Sequence, residues 1–124
     1  MGHTSVLWVL ETDPLVGGKG EKLGKVFVEA GFPEDAIDLP TMEIDDETVT
    51  AFVARYAAEG EPSAPPIAFL AHMDVVDAST ETWSTTPFEP VVQDGYLYGR
   101  GAVDNKAGIG ALVSSFARLK ESGW

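Results

Sequence analysis

The residues of this chain best suited to chemistry are His72, Asp74 and Asp104, carried by two short strings, AHMDVV at 71–76 and YGRGAVDNKAG at 98–108. Imidazole nitrogen and carboxylate oxygen both ligate divalent cations, and an aspartate two residues from a histidine can accept one ring N–H and leave the other nitrogen for a metal. His72 and Asp104 could therefore each hold one side of a metal site. Taken alone, each also has a plainer reading. A lone His-x-Asp is satisfied as a hydrogen-bonded histidine at a strand end, and Asp104 as the N-cap of a following helix. The chain has no cysteine, so disulfides and thiolate sites are excluded and any metal falls to histidine and carboxylate. His3, the other histidine, reads as an exposed terminal residue.

Several elements must position these groups. The apolar run Ile67, Ala68, Phe69, Leu70, Ala71 ends abruptly at His72 and suits a central strand covered by helices on both faces. The C-terminal ends of such strands are where open α/β sheets place their ligands, and strand alternation turns His72 and Asp74 to one side. Residues 77–101 read as a long ordered loop containing a hairpin, in which Val91, Val92 and Tyr96, Leu97, Tyr98 flank a type I′ turn at Asp94-Gly95. Gly99 and Gly101 permit backbone conformations that bulkier residues resist. A helix is predicted from about residue 105 to 121, with Ile109, Leu112, Val113, Phe116 and Leu119 on one apolar stripe and Lys120 near its C-terminal end. Asp104 then falls at the helix start.

The first half is less distinctive. Gly17, Gly18, Lys19 and Gly20 read as a loop. A helix over 21–30 follows, with Leu23, Val26, Phe27 and Ala30 at helical spacing and Gly31 as its stop. Residues 48–57 alternate enough for a strand, although their alanines also allow a helix. Pro62, Pro65 and Pro66 make 60–66 a connector.

Composition excludes some functions. At 124 residues and 44% hydrophobic, the chain has the size and apolar content of one domain or part of one. Twenty acidic against eight basic side chains, a formal charge of −12, work against nucleic acid or an anionic membrane as partner. Glu34, Asp35, Asp38, Glu43, Asp45, Asp46 and Glu47 read as a solvated acidic face. The apolar run 6–10 is too short for a membrane span and lacks a cationic leader, so no signal peptide is seen; cytoplasm is favoured and the compartment otherwise stays open. GGKGEK fails phosphate-loop spacing, and GRGAVD places Asp104 where a dinucleotide fingerprint needs its third glycine.

The ordered set HMDVV, then Trp83, Ser84, Pro87 and Phe88, then DGYLYGRGAxDxK resembles the M20 family of metallopeptidases and amidohydrolases, closely over 66–119 and faintly before. The family includes glutamate carboxypeptidases, aminoacylases, dipeptidases, and the acetylornithine deacetylase and succinyl-diaminopimelate desuccinylase relatives. The resemblance implies a three-layer α/β zinc-peptidase-like catalytic domain with a largely parallel central sheet. Residues 1–124 would be its N-terminal portion only, without the lid or dimerisation domain. It implies that His72 ligates one zinc ion, that Asp104 bridges two, that Asp74 orients His72, and that the Asp104–Asn105 peptide is cis. Trp83, Pro87 and Phe88 are expected to pack the loop. Ala71 stands where glycine or serine is common, and Asp77 where proline is frequent; neither change removes a proposed ligand.

The implied activity is zinc-dependent hydrolysis of an amide bond in a small peptide or N-acyl amino acid, with two Zn2+, or Co2+ or Mn2+ in their place, and a homodimer as the full-length form. In the family the general base is the first of two consecutive glutamates well beyond the bridging aspartate. No such pair can be matched here, because only Glu121 follows Asp104. The fragment is thus expected to bind zinc weakly and to be inactive by itself. The competing reading is a non-catalytic remnant or interaction module that keeps the half-domain without the chemistry.

Overall fold

The computed structural model describes residues 5–11, 19–57 and 64–123. Its main sheet is built on strand β4 (Glu47–Tyr56), which pairs antiparallel with β1 (Ser5–Glu11) in a register running from Ser5↔Tyr56 to Glu11↔Thr50. On its other side β4 carries two short strands, β2 (Ile37–Asp38) and β3 (Thr41–Ile44), both antiparallel. Asp45 and Asp46, with φ of 50° and 64°, make the tight turn that folds β3 back onto β4. Strand β5 (Ile67–His72) lies parallel to the far side of β1, from Ser5↔Ile67 to Leu10↔His72.

Two expectations need correction here. The sheet is not largely parallel: among the described strands only β1 and β5 run parallel, because a hairpin delivers β4 antiparallel between β1 and the β2–β3 pair. Nor is β5 a central strand covered on both faces. It is the edge of the described sheet, and Leu70 is 71% exposed. The strand buried on both faces is β4, whose Val49, Ala51 and Val53 are buried on one side and Phe52, Ala54 and Tyr56 on the other.

Helix α1 (Lys19–Glu29) sets Phe27 against Phe52, ring centroids 5.5 Å apart, and against Phe32 at 4.9 Å. Gly31, at φ 89°, ends the helix as predicted. Lys19 and Gly20, predicted as loop, belong to α1, while Gly17 and Gly18 lie outside the described residues, as do His3 and most of the proline connector. Helix α2 (Gly108–Glu121) buries Ile109 and Phe116, and Phe116 meets Tyr56 at 6.4 Å and Phe69 at 5.6 Å. Tyr56 and Phe69 share a face with Ala54, so both helices cover the same side of the sheet. The described residues form two layers where three were expected. The acidic side chains of 34–47 are exposed, as read from their clustering. No described helix is long and apolar enough to cross a membrane.

Phe52 is fully buried between the aromatic rings of this one core. Phe52→Ala is expected to lower the unfolding free energy by about 3–4 kcal/mol. Leu70→Ala, on the exposed face of β5, is expected to cost less than about 1 kcal/mol. Urea denaturation followed by circular dichroism checks both, and equal losses would place the core elsewhere.

Candidate metal centre

The end of β5 sorts its side chains by alternation: Ala71 and Met73 enter the core, while His72 and Asp74 turn the other way. The His72 Nδ1 lies 3.1 Å from the Asp74 carboxylate and 3.3 Å from the Asp74 carbonyl, both acceptors, so Nδ1 carries a proton and donates. The other nitrogen, Nε2, lies 3.1 Å from Asp104 Oδ1. Asp104 does not cap α2, whose first residue is Gly108; its carboxylate faces the imidazole instead.

A neutral ring with its proton on Nδ1 would set a lone pair against a carboxylate at Nε2. The arrangement is satisfied only when a positive charge sits there, either a second ring proton or a cation. Partial loss of water pushes the His72 pKa down, but the Asp74 carbonyl, the Asp104 carboxylate and the Asp74 carboxylate together outweigh this and raise it above the usual 6.5.

The turn that presents Asp104 is fixed from several directions. Strands β6 (Val91–Gln93) and β7 (Tyr96–Tyr98) form the expected hairpin, with φ of 51° at Asp94 and 80° at Gly95. After it, Arg100 donates its backbone N–H to Pro87 O at 2.6 Å, lies 5.4 Å from the Trp83 ring centroid and reaches the Asp77 carbonyl at 3.4 Å. Gly101 has φ 75°, and a Cβ there would fall 2.3 Å from Val75 Cγ1 and 2.9 Å from Lys106 Nζ. Both the dihedral and the space require glycine. The following turn, Ala102–Ala107, is non-helical at Asp104 and Asn105, and the peptide between them is cis, as the resemblance implied.

Lys106 completes the arrangement by donating from Nζ to Met73 O at 3.1 Å. It ties the Asp104 turn to the backbone between His72 and Asp74. Sequence reasoning missed this role, although the signal was present in the DxK spacing. Of the three loop residues expected to pack, Pro87 is fully buried and Trp83 lies half-buried beneath Arg100, but Phe88 is 55% exposed and packs little. His72, Asp74 and Asp104, with Val76, Trp83 and Tyr98 among others, line one open cleft of about 440 Å³. Among the described residues no group of three or more His, Cys, Asp or Glu side chains is placed to hold a metal, so the donors present fit part of a shell.

Residues 68–124 match Peptidase family M20/M25/M40. The chain is 43% identical over 93 residues to a succinyl-diaminopimelate desuccinylase of Gluconacetobacter diazotrophicus, a match covering 75% of this chain and 23% of that protein. It is 33% identical over 107 residues to the protein of the same name in Wolbachia pipientis wMel, covering 86% and 24%. It is 35% identical over 77 residues to the N-fatty-acyl-amino acid synthase/hydrolase PM20D1 of Mus musculus, covering 61% and 15%. The chain thus spans about a quarter or less of the length of these curated relatives. No solved structure matches it.

The raised pKa makes a signed prediction. In metal-free protein the His72 ring should titrate above 6.5, and Asp74→Asn should lower its midpoint, as followed by the ring carbon-bound protons in NMR. Because the charged ring is favoured in the folded state, its contribution to stability is present below 6.5 and lost as pH rises through the raised value. A midpoint at or below 6.5 in the unsubstituted chain would contradict the geometry.

Proposed function

We propose that this chain, which belongs through residues 68–124 to Peptidase family M20/M25/M40, supplies one side of a two-zinc centre that hydrolyses an amide bond in a peptide or N-acyl amino acid. The observation that carries this reading is His72 between two carboxylates, with Nε2 and Asp104 Oδ1 facing one another across 3.1 Å. The three relatives cited above act, by their two names, at an acyl group on an amino acid, which supports the same bond class.

In this reading His72, through Nε2, would hold one zinc ion, and the Asp104 carboxylate would be shared with a second. The Asp104 side chain is 87% exposed, so its carboxylate can serve two cations. Asp74 keeps the imidazole in the tautomer whose Nε2 lone pair is available, and strengthens it as a donor. Lys106 holds the strand end at a constant distance from the Asp104 turn. The metal ions, when bound, would polarise the scissile carbonyl and lower the pKa of the attacking water. A general base and further ligands come from outside these residues.

Zinc should bind weakly to the 124-residue chain in calorimetric titration, and more tightly as pH rises and the His72 proton leaves. His72→Ala or Asp104→Ala should abolish binding, and Asp74→Asn should weaken it about tenfold or more. Binding that survives both alanine substitutions would sink the proposal. The same chain should show little or no hydrolysis of N-acyl amino acids; zinc-dependent turnover lost in Asp104→Ala would show that these residues suffice alone.

A further inference from the structure

A second groove, of about 590 Å³, lies between α1 and β2, at the sheet edge away from β5 and His72. Glu21, Gly24, Lys25, Val28 and Glu29 line it from α1, at the i, i+3, i+4, i+7, i+8 spacing of one helix face. Ile37, Asp38 and Leu39 line it from β2 and the residue after, and Glu34 from the turn before. Its floor is apolar: Ile37 packs against the core, and Val28 and Leu39 are each 39% exposed beside it. Gly24 keeps this floor open. A Cβ there would meet only Ile37 at 3.6 Å and Phe52 at 4.0 Å, both ordinary contacts, so space does not require the glycine, which helix propensity disfavours against alanine within α1.

Charge and length narrow the occupant. Glu21, Glu29, Glu34 and Asp38 surround the floor with one cation, Lys25. Asp38 is engaged by Arg55, whereas Glu21, Glu29 and Glu34 form no ion pair among the described residues. The floor gains by burying apolar side chains, and the exposed carboxylates select a partner whose flanks are cationic. Another copy of this chain, at a formal charge of −12, would bring acid to acid, as would an anionic membrane. Strand β2, only two residues long, is too short a template for an added strand. The α1 lining from Glu21 to Glu29 extends about 12 Å at 1.5 Å per residue, close to the roughly 10 Å between anchors i and i+7 of a helix laid into a groove.

We infer that this groove docks a basic amphipathic helix of a protein partner. Its apolar side chains at i, i+3 and i+7 would seat on Val28, Ile37, Leu39 and the space left by Gly24, with Lys or Arg on either side facing Glu21, Glu29 and Glu34. No residue of the groove lines the cleft of His72 and Asp104, so a docked helix leaves that cleft open, and the docking surface stands whether or not the metal reading does.

The probe is a synthetic helical peptide of about 14 residues, with Leu at i, i+3 and i+7 and Lys on both sides of that stripe, titrated into the isotopically labelled 124-residue chain and followed by amide NMR. Two control peptides carry Glu in place of every Lys, or Ser in place of every Leu. The basic probe should bind at least about tenfold more tightly than either control and should shift the signals of Gly24, Val28, Ile37 and Leu39. Its advantage over the Glu control should shrink as salt is raised. Gly24→Leu, which fills the floor, and the pair Glu29→Lys and Glu34→Lys, which reverses the rim, should each weaken the basic probe about tenfold or more. Circular dichroism checks that each variant is folded, and either one decides without the other. Equal affinity for the basic and acidic peptides, shifts confined to other residues, or unchanged binding in a folded variant would overturn the docking surface. So would a concentration-dependent dimer in sedimentation that Gly24→Leu abolishes, which would give the groove to a second copy.

Discussion

An imidazole flanked by two carboxylates is not satisfied by its own neutral form, and holding His72 in that position requires β5 and the Asp104 turn to be fixed relative to one another. Lys106 does this through the Met73 carbonyl, the one backbone oxygen between His72 and Asp74 in sequence. Gly101 does it from the other side, because its left-handed conformation and missing side chain let Val75 and Lys106 close around the turn. Their work is to keep the imidazole and the Asp104 carboxylate at a spacing that a positive charge between or on them satisfies.

That spacing also depends on the core. Alternation sends Ala71 and Met73 into the same apolar cluster that Ile109 and Phe116 enter from α2, so the strand bearing His72 and the helix following Asp104 are packed against each other. Phe69 against Phe116, ring centroids 5.6 Å apart, fixes the same pair of elements about two turns along α2 from Ile109. A loss of packing between β5 and α2 would thus reach the site as a change in the His72–Asp104 distance. Because β5 is an edge strand, hydrogen-bonded only to β1 in the described sheet, this helix contact carries a large share of its positioning.

The site was more legible than the sheet that holds it. His72, Asp74 and Asp104 could be selected because histidine and aspartate have narrow chemical uses and because two neighbouring strings framed them. The Asp94-Gly95 hairpin and the Gly31 stop were legible for a related reason, since positive φ restricts the choice of residue. Strand order left no such trace. The run Ile67 to Ala71 is apolar on both faces, but periodicity records only what a residue tolerates as neighbours, and nothing in it distinguishes an edge from a centre. The β3–β4 turn escaped notice because Asp45 and Asp46 lay inside a block read only for its charge. Arg100 and Lys106 were visible as letters in a motif, but their roles run to carbonyls of residues distant in sequence, which spacing does not encode.

The hairpin beside the cleft shows how such a contact sets local geometry at a distance in sequence. Strands β6 and β7 form a two-stranded sheet of their own, and an isolated hairpin of three-residue strands is marginal in water. Arg100, two residues past β7, joins it to the rest: its N–H reaches Pro87, its guanidinium covers Trp83, and one of its terminal nitrogens reaches Asp77. A planar guanidinium can stack and donate at once, which an ammonium on the same stem cannot. The buried Nε has no protein partner, a cost that the stacking and the two hydrogen bonds must offset. Leu97 and Tyr98 take their places along the cleft from this anchorage, so a residue engaged in loop geometry decides where the apolar surface of the cleft stands.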